Sequence, residues 1–488
     1  MNSPKTGYGL AMFLGAMVLG LGIFWLPKLI LGLLILAALG LFFYYWSETA
    51  FYLLVAYLPF QVALNLAPGI DLLSGRVLIL LLAAVWLIKL FQKKELPNFK
   101  NQAAIGLILF FILALISLLG AAQPDWGWRK LLLFLSIFPL FFLAADLIDS
   151  RRKIKKIIYV IVGGATFSAL IALAQFLAQF IWGSQKIIDF WALKVAPLFY
   201  GQTTAGLVAQ NPSWLVEMNG QTLMRAIGLF PDPHMLAFFL GLVLPFVLAL
   251  IFFEEKHRLL LFTVGCLLFT VLLLTFSRGG YLGLVASLIV VILLVWQRLK
   301  RESKPRTTGS RPWRSVVRGK VFLGSLIGLA LIVGIIFGAP VISRFFSSFD
   351  LGEGSNIGRL QIWQESLAVA KEHLLLGVGL GNYPAEVDFS GSYRSAITSH
   401  NLYLDILAEM GIFGLLAWFW FLGGAGLAAL KEIKQEELAA PALGILAALI
   451  YFAVHSFFET AIFNPTVLAF LMIVVGLAVS LNKERRQL

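Results

Sequence analysis

Residues 235–253 read MLAFFLGLVLPFVLALIFF, without a single charged or strongly polar side chain. At about 1.5 Å of rise per residue this run makes a helix of roughly 28 Å, close to the ~30 Å hydrocarbon core of a bilayer. A surface helix of a soluble protein needs a polar face, and this one has none. Polar residues stand only at its ends: Pro231-Asp232-Pro233-His234 before it and Glu254-Glu255-Lys256-His257-Arg258 after it. Working outward in both directions, similar apolar blocks recur at roughly 8–25, 29–46, 50–66, 76–92, 102–121, 130–148, 156–182, 259–276, 280–297, 321–340, 411–430, 440–457 and 465–482. The pattern predicts an all-α, polytopic transmembrane helix bundle of about 12–14 spans. The stretch 52–68 is open to a re-entrant reading.

Composition agrees. The 488 residues are 60% hydrophobic and 13% charged, against about 45–50% and 25% in soluble domains. The membrane character therefore runs through the whole chain. The first apolar run, Tyr8 to Leu26, leads into a second across Pro27-Lys28 with no small-residue cleavage site between them, so no cleavable signal is expected. The organisation expected is N-terminal helices over 1–182, a first long outer loop over 183–234, and central helices over 235–340 with a basic cytoplasmic loop at 298–320. A large outer loop over 341–410 and C-terminal helices over 411–488 complete it.

The net charge of +13 invites a nucleic-acid reading, but its distribution argues otherwise. With both termini cytoplasmic, most Lys and Arg fall on the inner segments, with nine in Arg298–Lys320 alone. This is the positive-inside pattern, and the partners it implies are anionic membrane lipids, with no nucleic acid. The one cysteine, Cys266, lies within an apolar span, which rules out a disulfide framework.

In the second long loop, Ser355 or Asn356 can cap a helix through His373, with Leu360, Trp363, Leu367 and Ala370 at helical spacing. This helix is too short and polar to span, and either lies on the membrane surface or packs over the bundle. Gly377-Val-Gly-Leu-Gly-Asn382 then follows a helix and lacks the Lys-Ser/Thr of a phosphate loop, so it reads as a turn.

Ionisable groups at span ends are costly unless they face water or a partner. Four stand out on the outer side: Arg225, just before a span; Arg278, in the tight turn Ser277-Arg-Gly-Gly-Tyr281; Arg359, at the start of the amphipathic helix; and His400, in Ser-His-Asn-Leu-Tyr-Leu-Asp-Ile-Leu-Ala-Glu409. Bland readings stand beside these: an interfacial anchor for Arg225, an amphipathic-helix arginine for Arg359, a satisfied loop histidine for His400. Asp405 and Glu409 share a helical face and either orient the histidine or serve as helix-start charges.

His400-Asn401, then nine residues, then Gly411-Ile-Phe-Gly414 resembles the signature of the O-antigen ligase/polymerase superfamily. Arg225 with Gly228 and Pro233 resembles that family's arginine segment, and Ser277-Arg278-Gly279 its second arginine turn. Arg359–Trp363 with Gly377–Asn382 resembles the stretch leading into the histidine. His234 departs from the pattern, standing where the family often has asparagine.

The resemblance implies a membrane glycosyltransferase of GT-C-like type in a bacterial inner membrane, its active site facing the periplasm. The donor implied is a glycan on undecaprenyl pyrophosphate and the acceptor a lipid or glycan hydroxyl, such as a lipid-A core. Arg225 and Arg278 would hold the pyrophosphate, since guanidinium matches phosphate geometry, and His400 would act as general base. Arg359, Asn401, His234, Glu409 and Tyr281 are the expected substrate-binding residues. No metal and no cofactor are expected, the only tight outer carboxylate pair being Glu386 and Asp388. Ligase is favoured slightly over polymerase. A transporter or flippase is the competing class, disfavoured because spans such as 259–276 and 321–340 carry no charge at mid-membrane.

Overall fold

A computed structural model describes residues 27–67, 70–97, 99–209, 212–218, 221–253, 257–302, 346, 354–388, 397–435 and 437–487. The expected spans 8–25 and 321–340 and most of the basic loop lie outside the described residues. Helices α1 (Pro27–Tyr45) and α2 (Ser47–Tyr57) lead into an antiparallel hairpin, β1 (Ala63–Ala67) with β2 (Ile70–Leu73). Next come α3 (Ser74–Lys93), α4 (Gln102–Ser117), α5 (Pro124–Ile137), α6 (Pro139–Leu147) and the long α7 (Arg151–Trp182). The first long loop folds as short helices α8 (Ser184–Phe190), α9 (Ala196–Tyr200) and α10 (Gln202–Ala209), then a hairpin of β3 (Leu215–Met218) and β4 (Gln221–Met224). The remaining helices are α11 (Pro233–Phe253), α12 (Arg258–Leu274), α13 (Arg278–Glu302), α14 (Gly354–Glu372), α15 (Tyr383–Val387), α16 (Leu402–Glu432), α17 (Ala439–His455) and α18 (Pro465–Gln487).

Among the described residues eight helices are long and apolar enough to cross a membrane, or nine if the pair bent by 120° between Tyr45 and Ser47 counts as one span. Two shorter apolar helices, α12 and α17, complete the bundle. The bent pair lies in the N-terminal region that invited a re-entrant reading. Its second arm stops at Leu58-Pro59-Phe60, and the polar Asn65 and Asp71 lie in the hairpin that follows.

The apolar run 235–252 is the centre of the fold, every one of its residues being buried. A helix apolar all round suits either lipid or a protein core, and α11 has the second, packed among neighbours that include α12, α13 and α17. Tyr451 of α17 reaches over Gly241 and donates its hydroxyl to Ala237 O at 2.8 Å. On the other side α4 runs along α16, where a Cβ at Gly106 would collide with the backbone of Phe421. Small residues at such crossings let two backbones approach closely.

Helix α16 starts earlier than the sequence suggests, at Leu402, because Asn401 caps it: its Oδ1 accepts from the amides of Tyr403 (3.0 Å) and Leu404 (3.3 Å). It is interrupted at Gly411, whose φ of 67° brings the chain against Leu375 and Leu376.

Candidate functional site

The connections at one end of the bundle are stitched together. Ala226 N donates to Leu274 O (3.0 Å) and Leu402 N to Ser456 O (2.9 Å), so the segments carrying Arg225, Arg278 and His400 meet there. Two glutamines one turn apart on α7 hold the first of them. Gln179 bonds both the N–H and the C=O of Met224, while Gln175 accepts from Ile227 N and donates to Arg225 O. Arg225 is buried, with Nε donating to Thr275 O (2.6 Å) and Nη1 to Ser213 O (2.9 Å). It thereby clamps the turn that presents Arg278.

That turn is tight. Phe276 has a φ of 49°, and Ser277 Oγ bridges His234 Nδ1 at 2.9 Å and His455 Nε2 at 3.2 Å. Arg278 follows as the first residue of α13 and is 7% exposed. Gly279 packs against His455 and Phe458, leaving no room for a side chain. Tyr281 is buried, and its hydroxyl donates to Leu273 O.

His400 adopts a φ of 50°, and its Nδ1 lies 3.1 Å from Glu459 Oε1 and 3.2 Å from Oε2. The loop behind it is held from two sides at Ser399. Asp405 accepts from Ser399 N at 2.9 Å and from the Thr460 hydroxyl, and Trp363 Nε1 donates to Ser399 O at 3.0 Å. Trp363 belongs to α14, which therefore packs over the bundle. The buried face of α14 carries Ser366 and Ala370, while Leu360 and Leu367 remain exposed. Arg359, one turn before Trp363, lies within electrostatic reach of His400, Glu459, His234 and His455.

The charges at this end tune one another. The Glu459 carboxylate raises the His400 pKa above the ordinary imidazole value, against a smaller opposing effect of burial. Burial pushes Glu459 upward, but His400, His234 and Arg359 outweigh it and hold its carboxyl below the usual range. Burial and then the Glu459 charge push Asp232 up to about 6. Asp232 also caps α11, accepting from the amides of His234 (2.8 Å) and Met235 (3.0 Å).

Arg225, Arg278, His234, Arg359 and His400 thus share one end of the bundle. Asn401 is adjacent as a helix cap. Glu409 is engaged elsewhere, in a largely buried ion pair with Lys130 Nζ at 2.8 Å. The glycine run is a turn: Gly377, Gly379 and Gly381 have φ of 71°, 97° and 80°, and Val378 N and Gly379 N donate to Ala408 O and Glu409 O. Sequence reading passed over Glu459, His455 and the two α7 glutamines. The available signal was a lone carboxylate in Phe-Phe-Glu459-Thr-Ala between the last two apolar helices. Among the described residues no group of three or more His, Cys, Asp or Glu side chains is arranged to hold a metal ion, and Glu386 and Asp388 are exposed.

Fold and site together define a multi-pass membrane protein with arginines and a histidine–carboxylate pair gathered at one end of its bundle. Residues 262–419 match the family model described as O-Antigen ligase, a likeness that covers about a third of the chain. The matched stretch contains Arg278, Arg359 and His400, while Arg225, His234 and Glu459 lie outside it. No curated protein matches the chain.

Proposed function

We propose that the protein transfers a glycan from an undecaprenyl-pyrophosphate-linked donor to an acceptor hydroxyl at the periplasmic face of the inner membrane, in the manner of an O-antigen ligase. The observation that carries this reading is the His400–Glu459 pair beside the arginine turn. With Nδ1–H donating to Glu459, the Nε2 lone pair of His400 takes the proton of the acceptor hydroxyl. The hydroxyl oxygen forms its bond to the anomeric carbon as the bond from that carbon to the pyrophosphate oxygen breaks. The pyrophosphate departs with the electron pair, and the anomeric centre inverts. Arg278 and Arg359, with Arg225 nearby, supply the positive field for the charge that develops on the leaving group. Glu459 stabilises the imidazolium that forms.

In this reading the arginines serve in place of a divalent ion. The test is to supply the full chain, reconstituted in lipid, with the lipid-linked glycan, with and without a lipid-A core. Core-dependent product supports ligation, a ladder of longer chains without core assigns polymerisation, and no product in either case overturns the reading.

A further inference from the structure

A cavity of about 340 Å3 lies at the same end of the bundle, between the β1–β2 hairpin, α9, α10 and the N-termini of α11 and α18. We propose that it seats the acceptor as an uncharged, polyhydroxylated sugar end; this rests on the transfer reading above and deepens it. Thr460, next to Glu459, forms part of its wall, and so does Asp232, which lies in electrostatic reach of Glu459. The cavity thus adjoins the His400–Glu459 pair without containing it.

Its chemistry is the opposite of the arginine turn's. Two carboxylates, Asp71 and Asp232, line it against one arginine, Arg76, whose Nε and Nη2 already donate to Ser136 Oγ (2.8 Å) and Leu132 O (3.1 Å). A diphosphate entering there would meet like charge, so the donor head group belongs with Arg278 and a ligand rich in hydroxyl donors belongs here. Each carboxylate spends one oxygen on a helix start, Asp71 Oδ2 on the amides of Thr203 and Thr204 and Asp232 Oδ1 on α11. The second oxygen of each can accept from a ligand.

Two further polar atoms on the lining need a partner. The Tyr200 hydroxyl and Gln61 Oε1 are buried and have no hydrogen-bond partner among the described residues. Such groups are rare and call for a ligand or water. A sugar hydroxyl donates and accepts at once, so it can satisfy both. Phe230 and Phe463 are also on the lining and add apolar surface beside these polar groups, as sugar sites commonly do.

The test uses the full chain in nanodiscs with methyl glucoside, methyl galactoside, methyl N-acetylglucosaminide and inorganic pyrophosphate as probes, read by saturation-transfer NMR. At least one glycoside should bind the wild type. Tyr200→Phe should weaken it about fivefold, the worth of one neutral hydrogen bond. Tyr200→Trp, which fills the cavity, should abolish it. Binding should survive His400→Ala, while pyrophosphate binding should depend on Arg278 and not on Tyr200. The inference is overturned if no glycoside binds the wild type, if Tyr200→Phe leaves glycoside binding unchanged, or if pyrophosphate is what Tyr200→Trp displaces. Glycoside binding that depends on Tyr200 in a protein that transfers no glycan would uphold the cavity and remove the transfer reading.

Discussion

Replacing Glu459 with glutamine keeps its volume and an oxygen for His400 Nδ1 while removing the charge. Two unit charges 3.1 Å apart interact by about 5 kcal/mol at an effective dielectric of 20. The His400 side chain is 38% exposed and Glu459 13%, so solvent screens much of that. A charge-assisted hydrogen bond contributes about 1.5–3 kcal/mol, which corresponds to a rate loss of about 10- to 150-fold. The pH profile supplies the sign. Glu459 raises the His400 pKa, and the base works only when neutral, so in the wild type the acid limb of kcat/KM lies above the ordinary imidazole value of about 6.5. In Glu459→Gln that limb moves to lower pH even as the plateau falls. The assay is initial transfer rate from a lipid-linked glycan, measured from mildly acidic to mildly basic pH. Glu459→Gln should add no further loss in a His400→Ala background, because the two groups act as one unit. An unchanged plateau and an unmoved acid limb would refute the reasoning and leave the pair a purely structural contact.

Arg278→Ala should reduce transfer at least about 100-fold with expression intact, since donors aimed at developing charge are worth that much or more. Arg278→Lys, which keeps the charge and loses the planar fork, should fall between the two. Treatment with EDTA should leave the transfer rate unchanged, and a loss restored by magnesium would overturn the metal-free mechanism. Lys130→Met or Glu409→Gln alone should cost about 3–5 kcal/mol of stability by leaving one partner of a buried pair uncompensated. The double replacement should cost less than either single one by thermal unfolding of the solubilised protein.

The span pattern was legible because lipid demands long apolar runs, and α3, α4, α7, α11 and α13 fall where hydropathy puts them. The shared location of Arg225, Arg278 and His400 was legible for a related reason: polar groups in such a chain collect at span ends, and alternation of spans places those ends on one face. Pairwise partners were harder to read. Asp405 and Glu409 are the carboxylates next to His400 in sequence, yet Asp405 holds Ser399 and Thr460 while Glu409 pairs with Lys130, nearly 280 positions away. The carboxylate that meets the imidazole is Glu459, brought in by the packing of α16, α17 and α18. The family resemblance implied substrate contacts at Asn401 and Tyr281; the structure adds that Asn401 Oδ1 caps α16 and the Tyr281 hydroxyl donates to a backbone carbonyl. Helix caps and tertiary hydrogen bonds depend on backbone geometry that hydropathy does not encode.

The central claim is that a lipid diphosphate docks at the arginine end of the bundle, within reach of the His400–Glu459 pair. A cryo-EM map of the full chain with an undecaprenyl-pyrophosphate glycan bound tests it directly. The account predicts phosphate density within hydrogen-bond distance of Arg278 and the anomeric carbon on the Nε2 side of His400. Phosphate density at the opposite end of the bundle, or at the same end but away from both residues, would contradict it.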